Sequence, residues 1–139
     1  MNRSYRIGYR FQRRVVKHLK ERGFNCVVQP KSAFPDIVAW KPFIDSSGRA
    51  LAVKTKIEIE NKTSDNILIP YFVSLIECKV NKYLSKIEKQ EAKKILEEGR
   101  CNAFYVAYRK KRKLKFEEIK IKNQEIIIEH KEKIPGYLG

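Results

Sequence analysis

The run Ile67-Leu68-Ile69-Pro70-Tyr71-Phe72-Val73-Ser74-Leu75-Ile76 constrains the fold more than any other segment. Its density of β-branched and aromatic residues reads as one buried strand. Pro70 has no amide to give a ladder, so that end of the strand is expected at an edge or a bulge. A second run, Ala103-Phe104-Tyr105-Val106-Ala107-Tyr108, suits the centre of a sheet.

The first run leads directly into Glu77-Cys78-Lys79. Side chains alternate between the two faces of a strand, so Glu77 and Lys79 share a face and Cys78 points the other way. A hard cation such as Mg²⁺ or Mn²⁺ takes oxygen ligands, which the Glu77 carboxylate and the Cys78 main-chain carbonyl supply. Asp36, on Phe34-Pro35-Asp36-Ile37-Val38-Ala39-Trp40, offers a second carboxylate if its strand lies next to the first. Lys79 would then orient or deprotonate an attacking water and stabilise developing negative charge. A plainer reading makes Asp36 a turn residue and Glu77 and Lys79 a same-face ion pair. In a chain that is 34% charged, a Glu-x-Lys triplet is common.

Charge narrows the choice of partner. With 31 Lys and Arg against 16 Asp and Glu, the formal net charge is +15, which calls for a polyanion. Nucleic acid comes first, because dispersed cations gain from counterion release on phosphates. An acidic membrane surface is the rival, but no apolar run reaches membrane-spanning length, and the start Met1-Asn2-Arg3-Ser4-Tyr5-Arg6 lacks an apolar signal core. Cys26, Cys78 and Cys101 are widely spaced and read as small buried residues of a cytoplasmic protein. His18 and His130 lack metal-site spacing and receive no catalytic role.

Residues 4–22 read as a helix, with Ile7, Phe11, Val15 and Leu19 as the buried stripe and Gly23 as its stop. Its other faces carry Arg6, Arg10, Arg13, Arg14, Lys17, Lys20 and Arg22, a one-signed surface that repels itself unless an anion lies against it. Strands are expected at 24–29, 36–40 and 51–59, with turns at 30–35, 45–48 and 61–66. Ser85 to Glu88 has capping-box spacing, opening a helix with Ile87, Ala92, Ile95 and Leu96 on its apolar face and Gly99 at its end. Residues 109–113 read as a basic hairpin loop, after which strand-like alternation resumes through Ile121 and again at Ile126-Ile127-Ile128.

In order, these elements are a helix, a three-stranded meander bearing Asp and then Glu-x-Lys, a helix and a strand. On that order the chain resembles the PD-(D/E)XK nuclease superfamily, and more closely the archaeal Holliday junction resolvases. The resemblance is carried by Arg6-Ile7-Gly8-Tyr9-Arg10-Phe11-Gln12-Arg13, Gly23-Phe24-Asn25-Cys26-Val27-Val28, Phe34 to Ala39, Ile76-Glu77-Cys78-Lys79-Val80 and residues 84–90. It implies one domain over residues 1–139 with a restriction-endonuclease-like α/β fold. That fold is a central mixed β-sheet flanked by helices, here with an extended hairpin insertion near residues 44–66. It also implies a homodimeric, Mg²⁺- or Mn²⁺-dependent, structure-selective DNA endonuclease that hydrolyses phosphodiester bonds in branched or junction DNA during recombination and repair.

The resemblance assigns metal binding to Asp36, Glu77 and the Cys78 carbonyl, and catalysis to Asp36, Glu77, Lys79 and Gln12. The expected DNA contacts are Arg6, Arg10, Arg13, Lys31, Ser32, Arg109, Lys110, Lys111 and Arg112. The chain departs from the family at Gln12, where the resolvases carry a glutamate, and at Gln29, where they tend to carry an arginine. The separation of 41 positions from Asp36 to Glu77 also exceeds their compact hairpin. Gln12 supports the alternative, a catalytically weakened or inactive DNA-binding protein on a nuclease fold. An RNA-binding module ranks below both, since no aromatic RNA platform is recognisable.

Overall fold

A computed structural model describes residues 3–81 and 83–135. Met1 and Asn2 of the polar start, Lys82, and residues 136–139 of the polar tail lie outside the described residues. The elements are α1 (Arg3–Glu21), β1 (Asn25–Val28), β2 (Ile37–Pro42), β3 (Val53–Ile59), β4 (Lys62–Leu68), β5 (Tyr71–Lys79), α2 (Lys86–Glu97), β6 (Ala103–Lys110), β7 (Lys113–Lys122) and β8 (Glu125–Lys131).

Six strands form one mixed sheet in the order β1-β2-β5-β6-β7-β8, and β3 pairs with β4 in a separate two-stranded sheet. Only the β5–β6 neighbours run parallel in the large sheet; its other pairs are antiparallel. A parallel pair needs a crossover connection, and α2 supplies it. The architecture is α/β, as expected.

The helices cover opposite faces. Phe11, Val15 and Leu19 of α1 pack on Ile37, Ala39, Phe72, Ile76, Tyr105 and Phe116. Ala92 and Ile95 of α2 pack on Leu75, Phe104, Val106 and Ile119. Each fully buried aliphatic side chain contributes about 1.5–3 kcal/mol, so these two stripes hold the layers together. From Ala103 to Tyr108, β6 is buried at every position because it is covered on both faces, which explains its unbroken apolar run. α1 ends where Gly23 adopts φ 84° and the Phe24 amide donates to the Leu19 carbonyl at 3.1 Å. Ser85 and Glu88 form a complete capping box at the start of α2.

Five local expectations need correction. The run 67–76 is not one strand: β4 ends at Leu68 and β5 begins at Tyr71, with Pro70 at the break, so Ile67 and Leu68 are exposed. Residues 61–66 are mostly strand rather than turn, because the reversal is made by Glu60 and Asn61 at φ 52° and 64°. The basic loop shrinks to Lys111 and Arg112, both at positive φ, with Arg109 and Lys110 already in β6. Ile87 is 72% exposed, so it does not belong to the buried face of α2. The three cysteines are free and half-buried rather than fully buried. Among the described residues, no helix is long and apolar enough to cross a membrane.

Candidate active site

Asp36 stands immediately before β2, and Glu77 and Lys79 end β5. The register Ile37↔Ile76 brings residue 36 against residue 77. Two hydrogen bonds fix the meeting: the Cys78 amide donates to Asp36 Oδ2 at 2.8 Å, and the Asp36 amide donates to Glu77 Oε1 at 3.0 Å. The loop ahead of Asp36 is pinned by Gln29, whose amide donates to the Asp36 carbonyl at 2.7 Å and whose Nε2 donates to the Pro35 carbonyl at 2.6 Å. The Phe34-Pro35 peptide is cis.

Glu77 is 6% exposed. Burial pushes its carboxyl up to about 9, helped by the hydrogen bond and charge of Asp36 and by Glu88, against the opposing pull of Lys79. Cys78 faces the α1 side of the sheet, where burial and the charges of Asp36 and Glu77 push its thiol upward. The thiol therefore stays neutral, leaving its main chain as the chemically relevant part.

Lys79 lies 3.6 Å from Glu77 Oε2 but only 2.7 Å from Glu88 Oε2. Burial lowers its pKa, yet the hydrogen bond and charge of Glu88 and the charge of Glu77 outweigh that and raise it. Burial pushes Glu88 up, but the Lys79 hydrogen bond and the Ser85 amide outweigh this and hold it at about 2. Glu88 is the member of the site that sequence reasoning missed. Its signal was the capping box, which accounts for its place on α2 but not for its reach to β5.

Gln12 and Asp36 line one cavity of about 330 Å³, together with Tyr5, Tyr9, Gln29 and Lys31. Glu77 does not line it, because Glu77 and Lys79 face α2 while Gln12 comes from α1 on the opposite face. Asp36 is thus the residue common to both groups. Lys31 sits 4.9 Å from the Tyr5 ring centre, and Ser32 is exposed on the same loop without lining the cavity.

Arg6, Arg10 and Arg13 are exposed on the outer face of α1, with Arg13 5.8 Å from the Tyr9 ring centre. Arg109, Lys110, Lys111 and Arg112 are exposed at the β6–β7 turn. Arg14 ties the two segments together by donating to the Arg112 carbonyl at 2.9 Å. α1 and residues 109–113 hold twelve Lys and Arg and one acid, Glu21, so eleven of the fifteen net positive charges lie on these two joined segments. Arg3, Arg6, Arg10, Arg13, Lys17 and Lys20 recur every three or four positions, setting one cation about every 5 Å along the helix axis.

The donor set fits a hard divalent cation. Asp36 and Glu77 carboxylates, the Cys78 carbonyl and, reaching Asp36 from the opposite face, the Gln12 amide are all oxygen donors, and a cation beside Glu77 would favour the ionised carboxylate that burial disfavours. Among the described residues, no three His, Cys, Asp or Glu side chains are grouped as a metal site, so such a cation would lean on main-chain and amide oxygens as well. No family model matches the chain, and neither does any curated protein.

Proposed function

We propose that the chain is a Mg²⁺- or Mn²⁺-dependent DNA endonuclease of the PD-(D/E)XK type, resolvase-like, acting on branched DNA. The observation that carries the reading is the interlocked Asp36–Glu77 pair with Lys79 beside it, at the carboxyl end of β5. Asp36, Glu77 and the Cys78 carbonyl would hold the cation, which supplies Lewis-acid polarisation of a phosphodiester and acidifies bound water. Lys79 stays protonated beside Glu77 and Glu88, so it acts by placing positive charge near the reacting phosphate. The basic ridge of α1 and the β6–β7 turn engages phosphates and supplies most of the affinity.

The test is cleavage of four-way junction, flap, nicked and linear duplex DNA at fixed salt, with Mg²⁺, Mn²⁺ or chelator. Cation-dependent nicking of a branched substrate, lost in Lys79→Ala, is the expected result. Cutting that survives chelation, or is unchanged in Lys79→Ala, removes the assignment.

Gln12 favours a second reading, a DNA-binding protein on the same framework with weakened or no catalysis. It places a neutral amide in the cavity with Asp36, where a carboxylate would attract a cation more strongly. Gln12→Glu is expected to tighten cation binding about tenfold, seen as a larger Mg²⁺-induced rise in melting temperature. No gain in that rise would show that residue 12 lies outside the cation's reach.

A further inference from the structure

The β3–β4 hairpin is out of character with the rest of the molecule. Residues 53–68 carry Lys54, Lys56 and Lys62 against Glu58, Glu60 and Asp65, a balance of zero in a chain of +15. A neutral arm gains nothing from phosphates, so the nucleic-acid reading of the body does not account for it. The hairpin also exposes large apolar side chains: Ile59 is 66% and Ile67 65% exposed, with Val53 and Leu68 also open. β3 pairs with β4 on one side and, among the described residues, has no strand on the other. Two strands alone are marginal in water, and an unpaired edge is a template for a further strand.

The order of side chains along that edge specifies the occupant. Lys54-Thr55-Lys56-Ile57-Glu58-Ile59-Glu60 is a charge palindrome about Ile57. In an antiparallel pairing of β3 with itself, centred on Ile57, each Lys56 faces Glu58 of the other copy, while Glu60 lies beyond the strand end in the turn. Ile57 meets Ile57 on the opposite face. Directly opposed residues share a face in an antiparallel ladder, so the Lys56–Glu58 pair is in a contact position and occurs twice by symmetry. We infer that the free edge of β3 is the docking site for a second copy of this chain, forming a four-stranded β4-β3-β3-β4 sheet. Because the arm is separate from the main sheet, this pairing brings neutral segments together without pressing one basic ridge onto the other. A single seven-residue strand pair is a small interface, so the association is weak. The inference is independent of nuclease activity.

Sedimentation equilibrium of the full chain, without DNA, from micromolar to near-millimolar concentration tests it. The wild type is expected to dimerise. Lys56→Glu and Glu58→Lys each turn two attractive pairs into repulsive ones and should weaken dimerisation at least about tenfold. The Lys56→Glu/Glu58→Lys double variant restores complementarity and should return to within about threefold of wild type, and an equimolar mixture of the two single variants should form a heterodimer. Melting curves verify that the single variants stay folded, and the mixture rescues them only if folded. A wild type monomeric throughout, single variants that dimerise like wild type, or a double variant and mixture as weak as the singles would overturn the inference.

Discussion

A Glu77→Gln chain is expected to melt higher than wild type near neutral pH while losing about a thousandfold in cation-dependent cleavage. Both effects come from one buried carboxyl. Its pKa is raised from 4.5 to about 9, chiefly by burial and then by Asp36. The stability this group contributes is therefore full below about pH 4.5 and is lost progressively as pH rises toward 9. Near pH 7 the loss is on the order of 3 kcal/mol, worth roughly 10 °C in melting temperature. Glutamine keeps the oxygen that accepts from the Asp36 amide and never ionises, so it removes the loss. The melting advantage should shrink to nothing near pH 4 and grow toward pH 9. Calorimetry across that range decides it, and an advantage that does not vary with pH would contradict the assigned cause. A cation competes with the proton for this carboxyl, so Mg²⁺ should stabilise wild type more as pH rises and leave Glu77→Gln unchanged.

Neutralising three stripe residues, Arg10→Gln/Arg13→Gln/Lys17→Gln, is expected to weaken DNA binding about a hundredfold at physiological salt. The side chains lie on the solvated face of α1, away from Phe11, Val15 and Leu19, so the fold should survive. Each lost phosphate contact lowers the slope of log affinity against log salt by about 0.9, so the triple variant should lose between two and three units of slope. Removing self-repulsion between like charges three and four apart should also raise the melting temperature slightly in the absence of DNA. Fluorescence anisotropy across a salt series reads both quantities. An unchanged slope would place the DNA elsewhere on the surface.

The periodic elements were legible because one-dimensional patterns dictate them. Phe11, Val15 and Leu19 mark the buried side of α1 by spacing alone, and Ser85 with Glu88 marks the start of α2. The apolar run from Ala103 to Tyr108 fits a strand covered on both faces. What failed was local. The run 67–76 looked continuous because a proline in an apolar stretch leaves the hydrophobic pattern intact while breaking the ladder. Ile87 fitted the apolar pattern of α2 yet faces solvent, since where a helix docks is decided by its neighbours.

The candidate site divides in the same way. Asp36, Glu77 and Lys79 could be picked out by chemistry and order, and alternation along an extended strand correctly put Glu77 and Lys79 on one face. Their meeting with Asp36 depended on the register of β2 against β5 across a sequence separation of 41, which hydrophobic pattern does not encode. Lys79 turning toward Glu88, and Gln12 sharing a cavity with Asp36 but not with Glu77, depend on how α1 and α2 are placed on opposite faces of the sheet. The sequence by itself determined the helical and strand periods, the sign and clustering of charge, and the residue types available for the site. Tertiary structure alone decided which of those residues touch, because strand register and helix docking are settled by long-range packing rather than by neighbours along the chain.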